Sequence, residues 1–221
     1  MIRICPSILN ADRENLPSEI ARIATQSDLL HLDVMDNIFV PNFTFTFEQS
    51  AKIISESPIP VDSHLMIADP DDRAHLFAKA GSRSVTFHYE ASSNPLETIS
   101  KIADEGARVG VALKPGTPFH EIGSIMEHID MVLIMTVEPG FGGQSFMGDM
   151  MDKVKEARRE IDERFFGKIW LQVDGGISLE TIAKAAQSGA DTFVAGSAVF
   201  KSDDPGGMVD ELRALASKSQ A

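Results

Sequence analysis

The sequence predicts an α/β fold, a closed (β/α)8 TIM barrel. Three features carry that prediction. Short runs rich in β-branched residues alternate strictly with helix-patterned stretches, the pattern of an all-parallel sheet. There are eight such runs, the number that closes a parallel sheet into a barrel with a filled interior. The open, doubly wound alternative carries a G-x-G-x-x-G turn after its first strand, and no such turn is present.

In chain order, strands are expected at 2–8, 29–34, 59–65, 84–88, 109–113, 131–137, 169–173 and 192–195. Helices are expected at 17–24, 47–56, 70–80, 95–105, 119–126, 148–164, 179–187 and 205–217. Pro17, Pro70, Pro95 and Pro205 stand just inside helix starts, where a missing N–H costs nothing. Ser178-Leu179-Glu180 and Asp69-Pro70-Asp71 read as cap and first-turn pairs. Most connections are short, as βα and αβ turns are, and only 35–46 and 138–147 are longer. No linker or composition shift divides the chain, so residues 1–221 read as one barrel domain.

The chain carries 20 Lys+Arg against 33 Asp+Glu, a formal net charge of −13. That balance argues against a nucleic-acid partner, which needs a cationic stripe, and against an anionic membrane face. The N-terminus MIRICPSILNADRENL lacks the apolar core and cleavage site of a signal peptide, and no run is apolar enough to span a bilayer. The cytoplasm is therefore the expected compartment. The single cysteine, Cys5, excludes an intrachain disulfide and reads as a small core hydrophobe.

In a barrel, chemistry belongs at the C-terminal ends of the strands. The second strand ends His31-Leu32-Asp33-Val34-Met35, and its period of two puts His31, Asp33 and Met35 on one face. If Leu32 and Val34 face the helices, His31 and Asp33 face the interior, where charged groups need partners or a metal. The third strand offers Asp62-Ser63-His64 and the seventh Gln172-Val173-Asp174. A lone His or Asp on a strand is usually a hydrogen-bonded core or rim group. Together, His31, Asp33, His64 and Asp174 form a set suited to Zn, Fe or Mn rather than Ca.

Three glycine-rich turns follow the late strands: Gly140-Phe141-Gly142-Gly143, Gly175-Gly176 and Gly196-Ser197. One alone would merely permit a tight turn; three at the ends of strands six to eight point to a phosphate cradle of backbone N–H groups. Ser7 lies on the same side of the first strand as Cys5, placed to hydrogen-bond a ligand at the mouth. Met35, Met66 and Met135 read either as a flexible apolar collar above the metal or as core filling. Lys114 reads as a surface residue at a strand end rather than a Schiff-base lysine, His88 as a hydrogen-bonded rim residue, and His75, His120 and His128 as solvated helix residues.

At these residues the chain resembles the ribulose-phosphate 3-epimerase family along nearly its whole length. The matching segments are PSILNAD (6–12), HLDVMD (31–36), FVPN (39–42), HLM (64–66), ALKPGT (112–117), MTVEPGFGGQ (135–144), VDGGI (173–177) and AGSAVF (195–200). The resemblance implies a barrel of the ribulose-phosphate-binding type that interconverts D-ribulose 5-phosphate and D-xylulose 5-phosphate and self-associates as a homo-oligomer. It implies one divalent metal ion (Zn, Fe, Mn or Co) on His31, Asp33, His64 and Asp174, with Asp33 and Asp174 as the acid/base pair. Its substrate contacts fall on Ser7, His64, Gly140, Phe141, Gly142, Gly143, Gly175, Gly176, Gly196 and Ser197. Asn37 and Ile38 depart from the Gly-His that usually follows Asp36 in the family, and Thr46 lies where a Gly is usual; these departures bear on the shape of the second-strand loop.

Three alternatives compete with this activity. One is epimerisation of another ketose phosphate, such as D-allulose 6-phosphate, by the same groups. A decarboxylase or aldolase of the wider phosphate-binding barrels would carry a Lys where His64 stands. A non-catalytic sugar-phosphate sensor would be expected to have lost a ligand or a carboxylate, and none is missing.

Overall fold

A computed structural model describes residues 1–220. Its eight strands are β1 (Arg3–Pro6), β2 (Leu30–Met35), β3 (Val61–Met66), β4 (Ser84–His88), β5 (Arg108–Leu113), β6 (Met131–Met135), β7 (Trp170–Asp174) and β8 (Thr192–Ala195). All pair in parallel in the order β1-β8-β7-β6-β5-β4-β3-β2, and a parallel bridge between Ser7 and His31 brings β1 to β2. The fold is the expected (β/α)8 barrel. The helices are α1 (Leu16–Ala21), α2 (Phe47–Glu56), α3 (Pro70–Lys79), α4 (Pro95–Asp104), α5 (Met151–Phe165), α6 (Ile182–Gln187), α7 (Ser197–Phe200) and α8 (Pro205–Gln220). Among the described residues, no helix is long and apolar enough to cross a membrane.

The period of two divides the core. Leu30, Leu32 and Val34, with Val85, Phe87, Val109 and Val111, join the large cluster shared with the helices. The barrel interior holds separate small clusters, Ala112 with Leu133 and Met135 on one side and Met35 with Met66 on another. Strand register places His31 beside Asp62, Asp33 beside His64, and Met135 beside Asp174. Inward-facing polar side chains thereby run up the barrel, from Ser84, Asp62 and Gln172 to His64 and Asp174 nearer the C-terminal ends of their strands.

Several local expectations are corrected. Residues 119–126 form no α-helix but two 3-10 turns, Phe119–Ile122 and Met126–His128. The first turn buries Phe119 and Ile122 and ends at Gly123, and the second buries Met126. The first strand stops at Pro6 because the Ser7 side chain caps a 3-10 turn, accepting the N–H of Leu9 at 3.2 Å. Asp69 does not cap α3; its carboxylate pairs with Arg73 at 3.4 Å. Ser178 accepts the Glu180 N–H at 3.2 Å, but the helix begins only at Ile182. His75 is half-buried rather than solvated, while His120 and His128 are exposed.

The departures in the second-strand loop are accommodated. Asn37 adopts φ of 60°, a conformation that Asn tolerates in place of Gly. Thr46 caps α2 in a reciprocal capping box with Gln49. Asp36 accepts the backbone N–H groups of Ile38, Phe39 and Ala68 at 2.7–2.9 Å, tying this loop to the end of β3. The Asn42 amide donates to the Gly140 carbonyl at 2.9 Å, which latches the two long βα loops together.

Candidate active site and metal centre

His31, Asp33, His64 and Asp174 converge at the top of the barrel, each offering one ligand atom within 4.8 Å of the others. Both imidazoles are fully buried and Asp33 is 2% exposed. His31 and Asp33 come from β2, His64 from the neighbouring β3 and Asp174 from β7. Asp33 accepts the Ser7 hydroxyl at 2.6 Å and lies 3.0 Å from His64 Nδ1; Asp174 lies 3.7 Å from the same nitrogen. Thr44 clamps the end of β2, its hydroxyl donating to the Asp33 carbonyl at 2.7 Å.

The donor set suits a divalent cation. His31 Nε2 is buried with no hydrogen-bond partner, 3.4 Å from Asp33 Oδ1. A buried ring nitrogen with no partner costs free energy unless something else occupies it. Its other nitrogen, Nδ1, is 2.8 Å from Asp62, whose carboxylate fixes the ring in the manner of a carboxylate–histidine–metal triad. Two imidazoles and two carboxylates match Zn, Fe, Mn or Co better than Mg or Ca.

The electrostatics separate the two carboxylates. Burial works against ionised Asp33, but the adjoining His31 and His64 outweigh it and hold its pKa well below the usual carboxylate range. Burial and repulsion by Asp33 push Asp174 up to about 6, against the pull of His31 and His64. Burial works against charged His31, yet Asp33 and Asp62 raise its pKa.

Above this cluster lies a cavity bounded by Ser7, Asp33, Asp174 and the three methionines Met35, Met66 and Met135. All three glycine-rich turns line it: Gly140, Phe141, Gly142 and Gly143; Gly175 and Gly176; Gly196 and Ser197. His64 is sealed beneath its floor. No Lys or Arg lines the cavity, so an anion there would meet backbone N–H groups and the start of α7. Thr136 fixes the β7 turn, its hydroxyl donating to the carbonyls of Asp174 and Gly175 at 2.9 and 2.7 Å.

Gly176 shows how tight the cradle is. Its φ is +66°, and a Cβ there would lie 2.6 Å from the backbone nitrogen of Phe146. Gly176→Ala is expected to cost about 1–3 kcal/mol of stability and to displace the adjoining glycine-rich turn. A lowered Tm together with a raised KM for a phosphorylated substrate would bear this out, and unchanged values would contradict it.

Sequence reasoning missed four residues. Asp62 accepts from His31, Ser84 and Gln172, and the period of two that singled out His64 also singles out Asp62. His88, read as a rim residue, is fully buried with its Nε2 3.0 Å from that of His64, and Glu90 lies behind it. Asn10 stands so close to Gly142 and Gly196 that a Cβ on either would meet its side chain at 2.8 and 2.5 Å; only its position in the first βα turn hinted at this. Lys114 stands half-buried just past the end of β5, its ammonium 3.8 Å from the Phe39 ring centre.

Comparison with known proteins agrees with this geometry. The model of the Ribulose-phosphate 3 epimerase family matches residues 3–200. A ribulose-phosphate 3-epimerase of Mycobacterium leprae is 46% identical over 213 residues, covering 96% of this chain and 94% of the relative. One of Escherichia coli is 42% identical over 218 residues, covering 97% and 96%. Among solved structures, KGPDC from Streptococcus mutans superposes with a TM-score of 0.73 at 13% identity over all of both chains. The 3-hexulose-6-phosphate synthase from Salmonella typhimurium gives 0.71 at 18%, covering 99% of this chain and 100% of that one. At such identities these two speak for the barrel alone. The near-full-length relatives and the family match establish more: the chain belongs to the ribulose-phosphate 3-epimerase family, a family of isomerases.

Proposed function

We propose that this chain interconverts D-ribulose 5-phosphate and D-xylulose 5-phosphate, with Asp33 and Asp174 moving the proton at C3. The observation that carries this reading is the pairing of two carboxylates, from β2 and β7, whose surroundings drive their pKa values apart. The C3 hydrogen of a 2-ketose is weakly acidic because its removal leaves an enediolate with charge on oxygen. Ionised Asp33, oriented by the Ser7 hydroxyl, takes that proton from one face of the ribulose compound. Asp174, the more easily protonated of the two, delivers a proton to the opposite face, and the roles exchange in reverse.

His31, Asp33, His64 and Asp174 would hold the divalent ion. When bound, it supplies electrostatic stabilisation of the charge that develops on substrate oxygen. Gly140 to Gly143, Gly175, Gly176, Gly196 and Ser197 would hold the phosphate through backbone N–H groups, and Met35, Met66 and Met135 would form an apolar wall against water. Family membership supports a cytoplasmic homo-oligomer of one barrel domain, and the net charge of −13 argues against nucleic-acid or anionic-membrane partners.

Metal affinity should depend on pH with a defined sign. A cation is held more tightly by ionised than by protonated Asp174, so below about pH 6 a proton weakens its binding. Each further unit of acidification is expected to weaken Zn2+ binding by up to about tenfold on this account. His31, its pKa raised, carries a second competing proton. Binding near neutrality should therefore release protons that an indicator dye in weak buffer can count. An affinity independent of pH over this range would contradict the ligand assignment.

The activity is tested with metal-stripped protein, reconstituted and assayed side by side on D-ribulose 5-phosphate and D-allulose 6-phosphate. The expected result is turnover that returns with metal and a higher kcat/KM for the pentulose phosphate. A higher value for the hexulose phosphate would overturn the substrate, and reconstituted protein inert towards both would mark a sugar-phosphate binder.

A further inference from the structure

The His64 ring has a second edge that the reading above leaves unused. Its Nε2 lies 3.0 Å from Nε2 of His88, and His88 Nδ1 lies 3.3 Å from Glu90 Oε2. Glu90 is itself held in place: its Oε1 accepts the Lys114 backbone N–H at 2.7 Å and the Thr117 hydroxyl. Phe39 packs on the His88 ring with centroids 4.9 Å apart, and both imidazoles are fully buried. His64, His88 and Glu90 form one hydrogen-bonded line from the centre of the site to Lys114 and Thr117 in the β5 loop.

Proton bookkeeping gives that line a direction. Two ring nitrogens in contact share one proton, so one ring donates and the other accepts. The outer end decides which. Burial works against ionised Glu90, but its bonds to His88, Thr117 and Lys114 hold it down to about 2, and a carboxylate only accepts. His88 therefore carries its proton on Nδ1. With that proton on Nδ1, the His88 Nε2 is the accepting edge of the ring and the shared proton belongs to His64 Nε2. That leaves His64 Nδ1, the nitrogen that faces Asp33 and Asp174, as the position a cation would take.

We propose that His88 and Glu90 form a positioning relay that fixes the tautomer of His64, presenting its Nδ1 lone pair to a divalent cation at the His31–Asp33–His64–Asp174 cluster. The relay does for His64 what Asp62 does for His31, from another wall of the barrel. Neither His88 nor Glu90 lines the cavity, so both act only through His64. This inference rests on reading that cluster as a metal centre.

Histidine-selective 15N NMR of the full chain, with and without Zn2+, locates the protons. The expected spectrum has a proton bonded directly to His64 Nε2, a 15N–15N coupling across to His88 Nε2, and a proton on His88 Nδ1. A proton bonded directly to His88 Nε2 overturns the proposal. In a second arm, Co2+ affinity is measured by competition with a chelator. His88→Ala and Glu90→Ala should each weaken it by about 10- to 100-fold, with KM for the sugar phosphate unchanged in Co2+-saturated protein. His88→Gln, whose amide oxygen can accept the same proton, should restore most of the affinity. Unchanged Co2+ affinity in either folded alanine variant overturns the relay. If those variants fail to fold, the wild-type spectrum decides. Wild-type protein that binds neither ion would instead fail the metal reading, with the proton positions still testing the relay.

Discussion

Asp174→Asn and Asp33→Asn are each expected to lower epimerase turnover by at least about 10²–10⁴-fold, the range for losing a positioned acid or base. The two variants should fail differently. With metal held saturating, Asp174→Asn keeps the base for the ribulose compound, so in D2O it should exchange the C3 hydrogen of D-ribulose 5-phosphate without forming product. Asp33→Asn should show the mirror behaviour with D-xylulose 5-phosphate. Their effects on metal-free stability should also diverge. Asp174 is raised to about 6 by burial and by Asp33, so a neutral amide removes an unfavourable charge and the variant should melt no lower than wild type near neutrality. Asp33 is held ionised by His31 and His64, so its amide should melt lower. Near-native turnover in either variant would sink the two-carboxylate scheme.

Asp62→Ala should be the most damaging substitution away from the reacting groups. The carboxylate is fully buried and accepts from His31 Nδ1 at 2.8 Å, Ser84 Oγ at 2.6 Å and Gln172 Nε2 at 2.8 Å. Its loss strands all three donors in the barrel interior, at about 1–3 kcal/mol each, and leaves His31 without the group that fixes its tautomer. A loss of about 3–5 kcal/mol is a large share of a typical folding free energy of roughly 5–15 kcal/mol. Thermal melts should show the drop, and a chelator titration should show metal affinity weakened by about 10- to 100-fold. Ser84→Ala is the milder control, costing about 1 kcal/mol with metal affinity kept. An Asp62→Ala protein with native Tm and native metal affinity would contradict the network.

The alternation of β-branched runs with helical stretches was enough to place all eight strands, because each strand buries one face against helices and the other inside the barrel. The four converging side chains were legible for the same reason: His31 and Asp33 are two apart on one strand, and register then sets Asp33 beside His64. What escaped was contact information without a period. The α7 helix has only four residues, too few to show helical spacing. His88 looked like a lone histidine on a strand, and only the β3–β4 register brings its ring to His64. Asn10 touches two glycine turns more than 100 residues distant, a contact that no local pattern encodes.

The central claim is that two carboxylates act on opposite faces of C3, and one measurement addresses it directly. Enzyme in excess over D-ribulose 5-phosphate is mixed in D2O, quenched within one turnover, and the D-xylulose 5-phosphate formed is examined by NMR at C3. The account predicts deuterium at C3 in essentially all of the first product, because the delivered proton comes from Asp174 and not from the hydrogen that Asp33 removes. Product that retains the original hydrogen at C3 would contradict it.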